Sequence, residues 1–227
     1  MTQGTSPASP LPIVILISGF GSNLQAIIDA TRNGTLPVEI RGVISNRPNA
    51  YGLLRAREAS IPVRIINNAA YPNRASFDHA LHAAIDSFQP SLVVLAGFML
   101  ILGPDLINRY QGRMMNIHPS LLPAYPGLNT HQRVLDAREK EHGTSVHFVT
   151  NELDSGPVII QARIAVTPAD DTQSLTEKVQ AVEHRIYPLA IKWFAEGRLE
   201  LTDNKILMDK KPLTAPVDYR ISALSDC

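Results

Sequence analysis

The chain has 227 residues, 44% of them hydrophobic and 19% charged, and its basic and acidic residues balance to a formal net charge of zero. That length suits one generous domain with a real core, and the absence of a basic surplus argues against a nucleic-acid partner, whose phosphates select for one. The lone cysteine, Cys227, cannot close an internal disulfide and no apolar run approaches the span of a bilayer, so a cytoplasmic protein with no membrane partner is expected.

Residues 1–11 are polar and rich in Ser and Pro, and read as a flexible leader. The run at 13–17 is continuously apolar and β-branched, as strands buried on both faces are. It stops at Ser18-Gly19-Phe20-Gly21, and a helical pattern covers 22–32, closed by Asn33-Gly34. A strand at 38–44, a helix near 51–59, a strand at 63–66 and a helix at 74–87 follow. Residues 92–96 are again a buried type of strand, a short helix lies near 105–110, and a strand at 114–117 ends the series. Alternation of this kind predicts an α/β fold, a doubly wound and mostly parallel sheet with helices on both faces. Pro119, Pro123 and Pro126 then make a rigid loop. Beyond it the pattern predicts a helix near 132–139, strands at 145–149 and 158–166, and a long helix at 175–194 that Pro188 should kink or interrupt. A small hairpin at 199–208 closes a single domain spanning 12–210, and 211–227 read as a weakly structured tail.

Three segments could carry chemistry. Ser18-Gly19-Phe20-Gly21-Ser22-Asn23 sits between a strand and a helix. Its glycines permit close backbone approach, and the helix start offers amides to an anion. It lacks the spacing of a dinucleotide fingerprint or a P-loop. It reads either as a site for one phosphate or as a plain turn with Ser22 as N-cap. Asn116 and His118 are two apart at a strand end and so share a side, beyond the carboxyl edge where α/β sheets bind ligands. The histidine suits an acid near neutral pH and the asparagine amide a developing oxyanion, although a histidine bonded to a loop carbonyl fits as well. Asp154, in Thr150-Asn151-Glu152-Leu153-Asp154-Ser155-Gly156-Pro157, could orient that histidine or form an Asx-turn. His79, His82 and His142 are expected on solvated surfaces. No acid, His or Cys cluster has metal-ligand spacing, and neither Ser120 nor Ser145 stands in a hydrolase elbow.

Residues 17–28, the His-Pro-Ser-Leu-Leu-Pro-Ala-Tyr-Pro-Gly run at 118–127, the segment 142–147 and the segment 152–157 together resemble the phosphoribosylglycinamide formyltransferase family, over roughly 12–202. The His-Pro-Ser-Leu-Leu-Pro run marks the wider folate-dependent formyltransferases. The resemblance implies the formyltransferase fold, with a Rossmann-like N-terminal half, and transfer of a formyl group from 10-formyltetrahydrofolate to the amine of glycinamide ribonucleotide in purine (IMP) biosynthesis. It implies Asn116, His118 and Asp154 as the catalytic trio, Gly21, Ser22 and Asn23 at the substrate phosphate, and Gln180, Ala181, Val182 and Glu183 near the substrate, with Glu183 on its amine. Arg74, Phe98, Met99, Leu100, Ile101 and Leu102, with Asn116 and the stretch Thr150, Asn151, Glu152, Leu153 and Asp154, match the folate-binding positions. No metal is implied, and a monomer or homodimer fits. Phe20 stands where the family has a smaller or polar residue, Leu100 where a basic one is frequent, and Asn129 where a histidine is common. A formyltetrahydrofolate hydrolase would carry a regulatory domain ahead of the first strand, and a methionyl-tRNA formyltransferase a C-terminal RNA-binding domain. A non-catalytic folate- or nucleotide-binding module would have no need of an acid at an oxyanion position.

Overall fold

A computed structural model describes residues 9–219. Its first strand, β1 (Leu11–Ile17), sends alternate side chains to opposite faces. Ile13, Ile15 and Ile17 enter one apolar cluster, and Val14 and Leu16 enter another. Both faces are therefore covered, which is why no polar residue interrupts the run. Parallel to it lie β2 (Val38–Ser45), β3 (Val63–Ile65), β4 (Leu92–Leu95) and β5 (Met114–His118). β6 (Glu141–Phe148) runs antiparallel between β5 and β7 (Val158–Ala165). A separate three-stranded sheet holds β8 (Leu199–Thr202), β9 (Lys205–Met208) and β10 (Lys211–Pro212), and β11 (Val217–Tyr219) returns to pair in parallel with β7. The main sheet is ordered β11-β7-β6-β5-β4-β1-β2-β3.

Helices α1 (Ser22–Arg32), α2 (Gly52–Glu58), α3 (Arg74–Asp86), α4 (Pro104–Arg109), α5 (Thr130–Asp136) and α6 (Thr172–Ala195) complete the architecture. Leu24 and Ile27 of α1, Leu53 of α2 and Ile186 and Ile191 of α6 pack on one face, while Phe77 and Leu81 of α3 and Leu106 of α4 pack on the other. The sheet is thus doubly wound and mostly parallel, as the alternation predicts. Strand order reverses at β1, with β4 on one side and β2 on the other. The crevice outside the carboxyl ends of β1, β4 and β5 is where such a sheet accepts a ligand.

Four expectations need correction. The leader at 1–11 is too long: Leu11 opens β1, its amide bonded to the Pro37 carbonyl (3.0 Å), and residues 1–8 lie outside the described part. The tail is not weakly structured throughout, because Lys211–Pro212 pairs with β9 and Val217–Tyr219 forms the sheet edge, beyond the expected domain end at 210. Two- and three-residue strands carry no periodicity to read, and here the neighbouring strand supplies the ladder. β6 begins at Glu141 rather than 145, because His142, Gly143 and Thr144 are buried through polar partners and do not look like strand residues. Of the two outcomes expected at Pro188, interruption does not occur: α6 runs unbroken for 24 residues. Next to it, Tyr187 is fully buried, its hydroxyl 2.9 Å from the Leu95 carbonyl and 3.1 Å from that of Met115, so packing on the sheet holds the helix through the proline.

Candidate active site

Three strand ends meet at Ser18. Its hydroxyl donates to Asn46 Oδ1 (2.5 Å) and accepts from the Met99 amide (2.8 Å), and its own amide bonds the Gly97 carbonyl (3.0 Å). Past it, Gly21 takes a left-handed φ of 75°, and a Cβ there would stand 2.8 Å from the Gly52 Cα. Only glycine satisfies both the turn and that approach. Gly21, not Ser22, is the N-cap of α1, so no side chain caps the first turn. The amides at the start of this 11-residue helix thus face the crevice with the positive end of its dipole, which suits a phosphate. Phe20 is turned outward at 64% exposure and stacks on Tyr51, ring centroids 5.1 Å apart. The Arg55 guanidinium lies against both rings and donates Nε–H to the Phe20 carbonyl (3.0 Å), which pins the loop from outside.

β5 delivers Asn116 and His118, and the turn before β7 delivers Asp154. His118 Nδ1 lies 3.4 Å from Asp154 Oδ2, and its Nε2 lies 3.0 Å from the Tyr125 carbonyl. A carbonyl only accepts, so Nε2 carries a proton; a second proton on Nδ1 satisfies the carboxylate. The ring is 6% exposed and faces an acceptor at each nitrogen, which fixes its orientation. Asp154 Oδ2 also accepts from the Gly127 amide (2.9 Å), so the proline-rich loop fixes the acid as well as the histidine. Asp154 itself sits at a left-handed φ of 50°, tolerable for aspartate and diagnostic of a demanding local geometry.

A polar chain joins the trio to the α1 loop. Thr144 Oγ1 donates to the His118 carbonyl (2.9 Å) and lies 3.4 Å from Glu183 Oε1, while Asn23 Nδ2 donates to Glu183 Oε2 (2.8 Å). Having one proton, already committed, Thr144 meets Glu183 best when the acid is protonated. Burial pushes the Glu183 carboxyl up from 4.5 to about 7, against the opposing hydrogen bond from Asn23. A raised acid stabilises the fold fully below its unfolded value and loses that contribution as pH climbs through 7. The amount is about 3 kcal/mol. Urea unfolding of wild type and Glu183→Gln between pH 4.5 and 8 should therefore show wild type losing about 3 kcal/mol relative to the variant. A constant difference across that range would refute the assignment.

The expected folate positions converge on the same edge. Arg74 opens α3, pairs with Asp78 (2.7 Å) and donates to the Ile101 carbonyl. Phe98 and Leu100 are half-buried against the second apolar cluster and Leu102 is buried in it, while Met99 and Ile101 are exposed. In the 150–154 loop Thr150 Oγ1 donates to the Glu152 carbonyl (3.3 Å), Asn151 bonds Asn108 of α4 (3.0 Å) and Leu153 is exposed. Of the 180–183 segment only part reaches the crevice. Glu183 does so through Asn23, and Gln180 lies one turn earlier on that side. Val182 points into the core and Ala181 to the surface, because consecutive helical residues diverge. Asn129 sits at φ 57° as N-cap of α5, a conformation asparagine tolerates well.

Several residues at the site carry no sequence signal. His147 lies opposite Asn116 across the β5–β6 ladder, its Nε2 3.2 Å from Asn116 Nδ2, and this becomes visible only once the register is known. Thr144 is of the same kind. His142, expected on the surface, is 1% exposed and bonds His131 (2.9 Å). Burial pushes it down to about 4, so it is uncharged near neutral pH and does not compete with His118. A cavity of about 740 Å³ opens elsewhere, between the 121–125 loop, β7 and β9, and none of the trio lines it. Among the described residues, no group of three His, Cys, Asp or Glu side chains is placed to hold a metal ion, and no helix is long and apolar enough to cross a membrane.

A model of the formyl transferase family matches residues 11–191. Phosphoribosylglycinamide formyltransferase of Escherichia coli (strain K12) is 51% identical over 201 residues, 88% of this chain and 95% of that protein. The solved phosphoribosylglycinamide formyltransferase of Coxiella burnetii matches with a TM-score of 0.89 at 54% identity, covering 93% of this chain and 100% of that one. A formyltetrahydrofolate deformylase from Pseudomonas putida KT2440 shares the architecture at a TM-score of 0.80 and 27% identity, over 90% of this chain and 72% of that one. From β1 to the last turns of α6, and with its proline-rich loop and carboxyl-edge crevice included, the chain belongs to the formyl transferase family.

Proposed function

We propose that this protein transfers the formyl group of 10-formyltetrahydrofolate to the amine of N1-(5-phospho-D-ribosyl)glycinamide, giving the N-formyl product and tetrahydrofolate in purine biosynthesis. The observation that supports the reading is the single polar chain Asn23–Glu183–Thr144–His118–Asp154, which links the start of α1 to the His118–Asp154 pair. The names of relatives about half identical over nearly their full length support the same substrates.

In this reading Gly21, Ser22 and Asn23 take the phosphate, and Glu183 takes the glycinamide amine. Arg74, residues 98–102 and the 150–154 loop bind the folate. The amine attacks the formyl carbon and negative charge grows on the formyl oxygen. Asn116 donates an amide N–H to that oxygen, and His118 offers the Nε2 proton now bonded to the Tyr125 carbonyl. Asp154 orients His118 and, through a water, takes the proton that the amine sheds. The folate N10 leaves with a proton, so the reaction is proton-neutral and needs no covalent intermediate on the protein. Donors preorganised in a water-poor crevice are worth far more than in solution.

The test is release of deformylated folate from a 10-formyl folate analogue, followed spectroscopically with and without the ribonucleotide. Release that requires the ribonucleotide is the expected result. Release without it would make the protein a formyltetrahydrofolate hydrolase, the activity of the Pseudomonas relative, and none in either case would leave a binding module.

A further inference from the structure

We infer that His147 is a positioning residue: its uncharged ring fixes the Asn116 amide so that one Nδ2 hydrogen is committed to His147 and the other is left for the formyl oxygen. The inference rests on the proposed role of Asn116 and assigns a role to a side chain outside the trio. Two contacts fix where the ring proton sits. His147 Nδ1 lies 2.9 Å from the Phe148 carbonyl, which can only accept, so Nδ1 carries the ring proton. Nε2 then has a lone pair directed at the Asn116 side chain 3.2 Å away. Only the amide nitrogen can donate to it. The flipped amide would set its oxygen against that lone pair, so the ring decides which way Asn116 points.

The backbone supports this assignment. Asn116 and His147 are direct cross-strand partners, and such partners project to the same face of a sheet. The β6–β7 ladder shifts register between Val146 and His147, and a bulge at that point re-aims the side chain while leaving the β5 pairing intact. The ring is buried, which disfavours its charged form and outweighs Asp154 Oδ1 at 3.8 Å. Charging His147 would put a second donor where Asn116 needs an acceptor, so its burial is part of the device.

A double-mutant cycle tests it, with His147→Leu and His147→Gln each made in wild type and in Asn116→Ala, and rates expressed per folded protein. His147→Leu should lower kcat roughly 10- to 100-fold, the usual penalty for a loosened donor, with KM for both substrates nearly unchanged. His147→Gln, whose amide oxygen can accept from Asn116, should recover part of that loss. In the Asn116→Ala background neither substitution should cost anything further, since nothing remains to be oriented. A loss of the same size in both backgrounds would overturn the positioning role while leaving the transferase reading intact. An Asn116→Ala enzyme with undiminished kcat would overturn both. Running the cycle with two replacements keeps it decisive if one of them fails to fold.

Discussion

His118→Ala should lower kcat by about 10³-fold or more, with KM for both substrates changed far less. Two effects are lost together. Proton transfer from a positioned side chain is worth about 10²–10⁴-fold, and a lost oxyanion donor costs about 10²–10³-fold. These do not multiply, because one ring supplies both. Asp154→Ala should cost a similar amount, since its contact with His118 (3.4 Å) is what orients the ring and its Oδ2 bond to the Gly127 amide (2.9 Å) is what places it. The pair acts as a unit, so the double variant should be hardly slower than either single one. Steady-state kinetics with the ribonucleotide and a 10-formyl folate analogue, alongside melting temperatures, decide the matter. A double variant slowed by the product of the two single losses would show that His118 and Asp154 act separately.

Asn116, His118 and Asp154 stand out as candidates in the sequence because they sit in unusual local contexts, while their grouping comes only from the family resemblance. Asn116 and His118 stand at the end of an apolar run and before three prolines, and Asp154 precedes Ser-Gly-Pro. Patterns of this sort mark a strand end, a rigid loop and a tight turn, and those are where α/β sheets place chemistry. The main elements are legible for a related reason: a strand buried on both faces must be apolar at every position, as β1 is. What stays hidden depends on pairing between distant segments. His147 reads as one more residue in a strand until the β5–β6 register sets it against Asn116. His142 and Thr144 look solvated because they are polar, yet His131, the His118 carbonyl and Glu183 satisfy them in the interior. The edge strand Val217–Tyr219 has almost no sequence identity of its own, since the β7 backbone calls it into being.

Phe20 shows how an unusual residue can be absorbed. Its ring leaves the anion loop, stacks on Tyr51 and gains the Arg55 guanidinium, which also holds the loop carbonyl. The ring and the guanidinium both lie on the outer side of the loop.

The largest structural penalty should fall at Gly156, two residues past Asp154. A Cβ there would lie 1.8 Å from the Phe148 carbonyl oxygen and 3.3 Å from Thr150 Cγ2. The closer atom is not a flexible tip that could swing aside, because the carbonyl belongs to the end of β6 and accepts the His147 Nδ1 proton (2.9 Å). Gly156→Ala must therefore push the start of β7 away from β6, stretching the bond from the Phe148 amide to the Pro157 carbonyl (3.0 Å). Forced overpacking costs about 1–3 kcal/mol and more where backbone must move, so a loss of at least about 3 kcal/mol and a fall in Tm of roughly 10 °C are expected. Gly19→Ala, with no heavy atom within 4 Å of the added carbon, is the stability control and should melt close to wild type. Activity per folded molecule should also fall in Gly156→Ala, because the shifted turn carries Asp154 away from His118 and the shifted carbonyl disturbs the ring that orients Asn116. Melting and kinetics on the same samples separate the two effects. A variant that melts near wild type would mean the β6–β7 junction can open without cost, and one that melts early but turns over at the full rate would mean the Asp154 turn is held by the Gly127 amide alone.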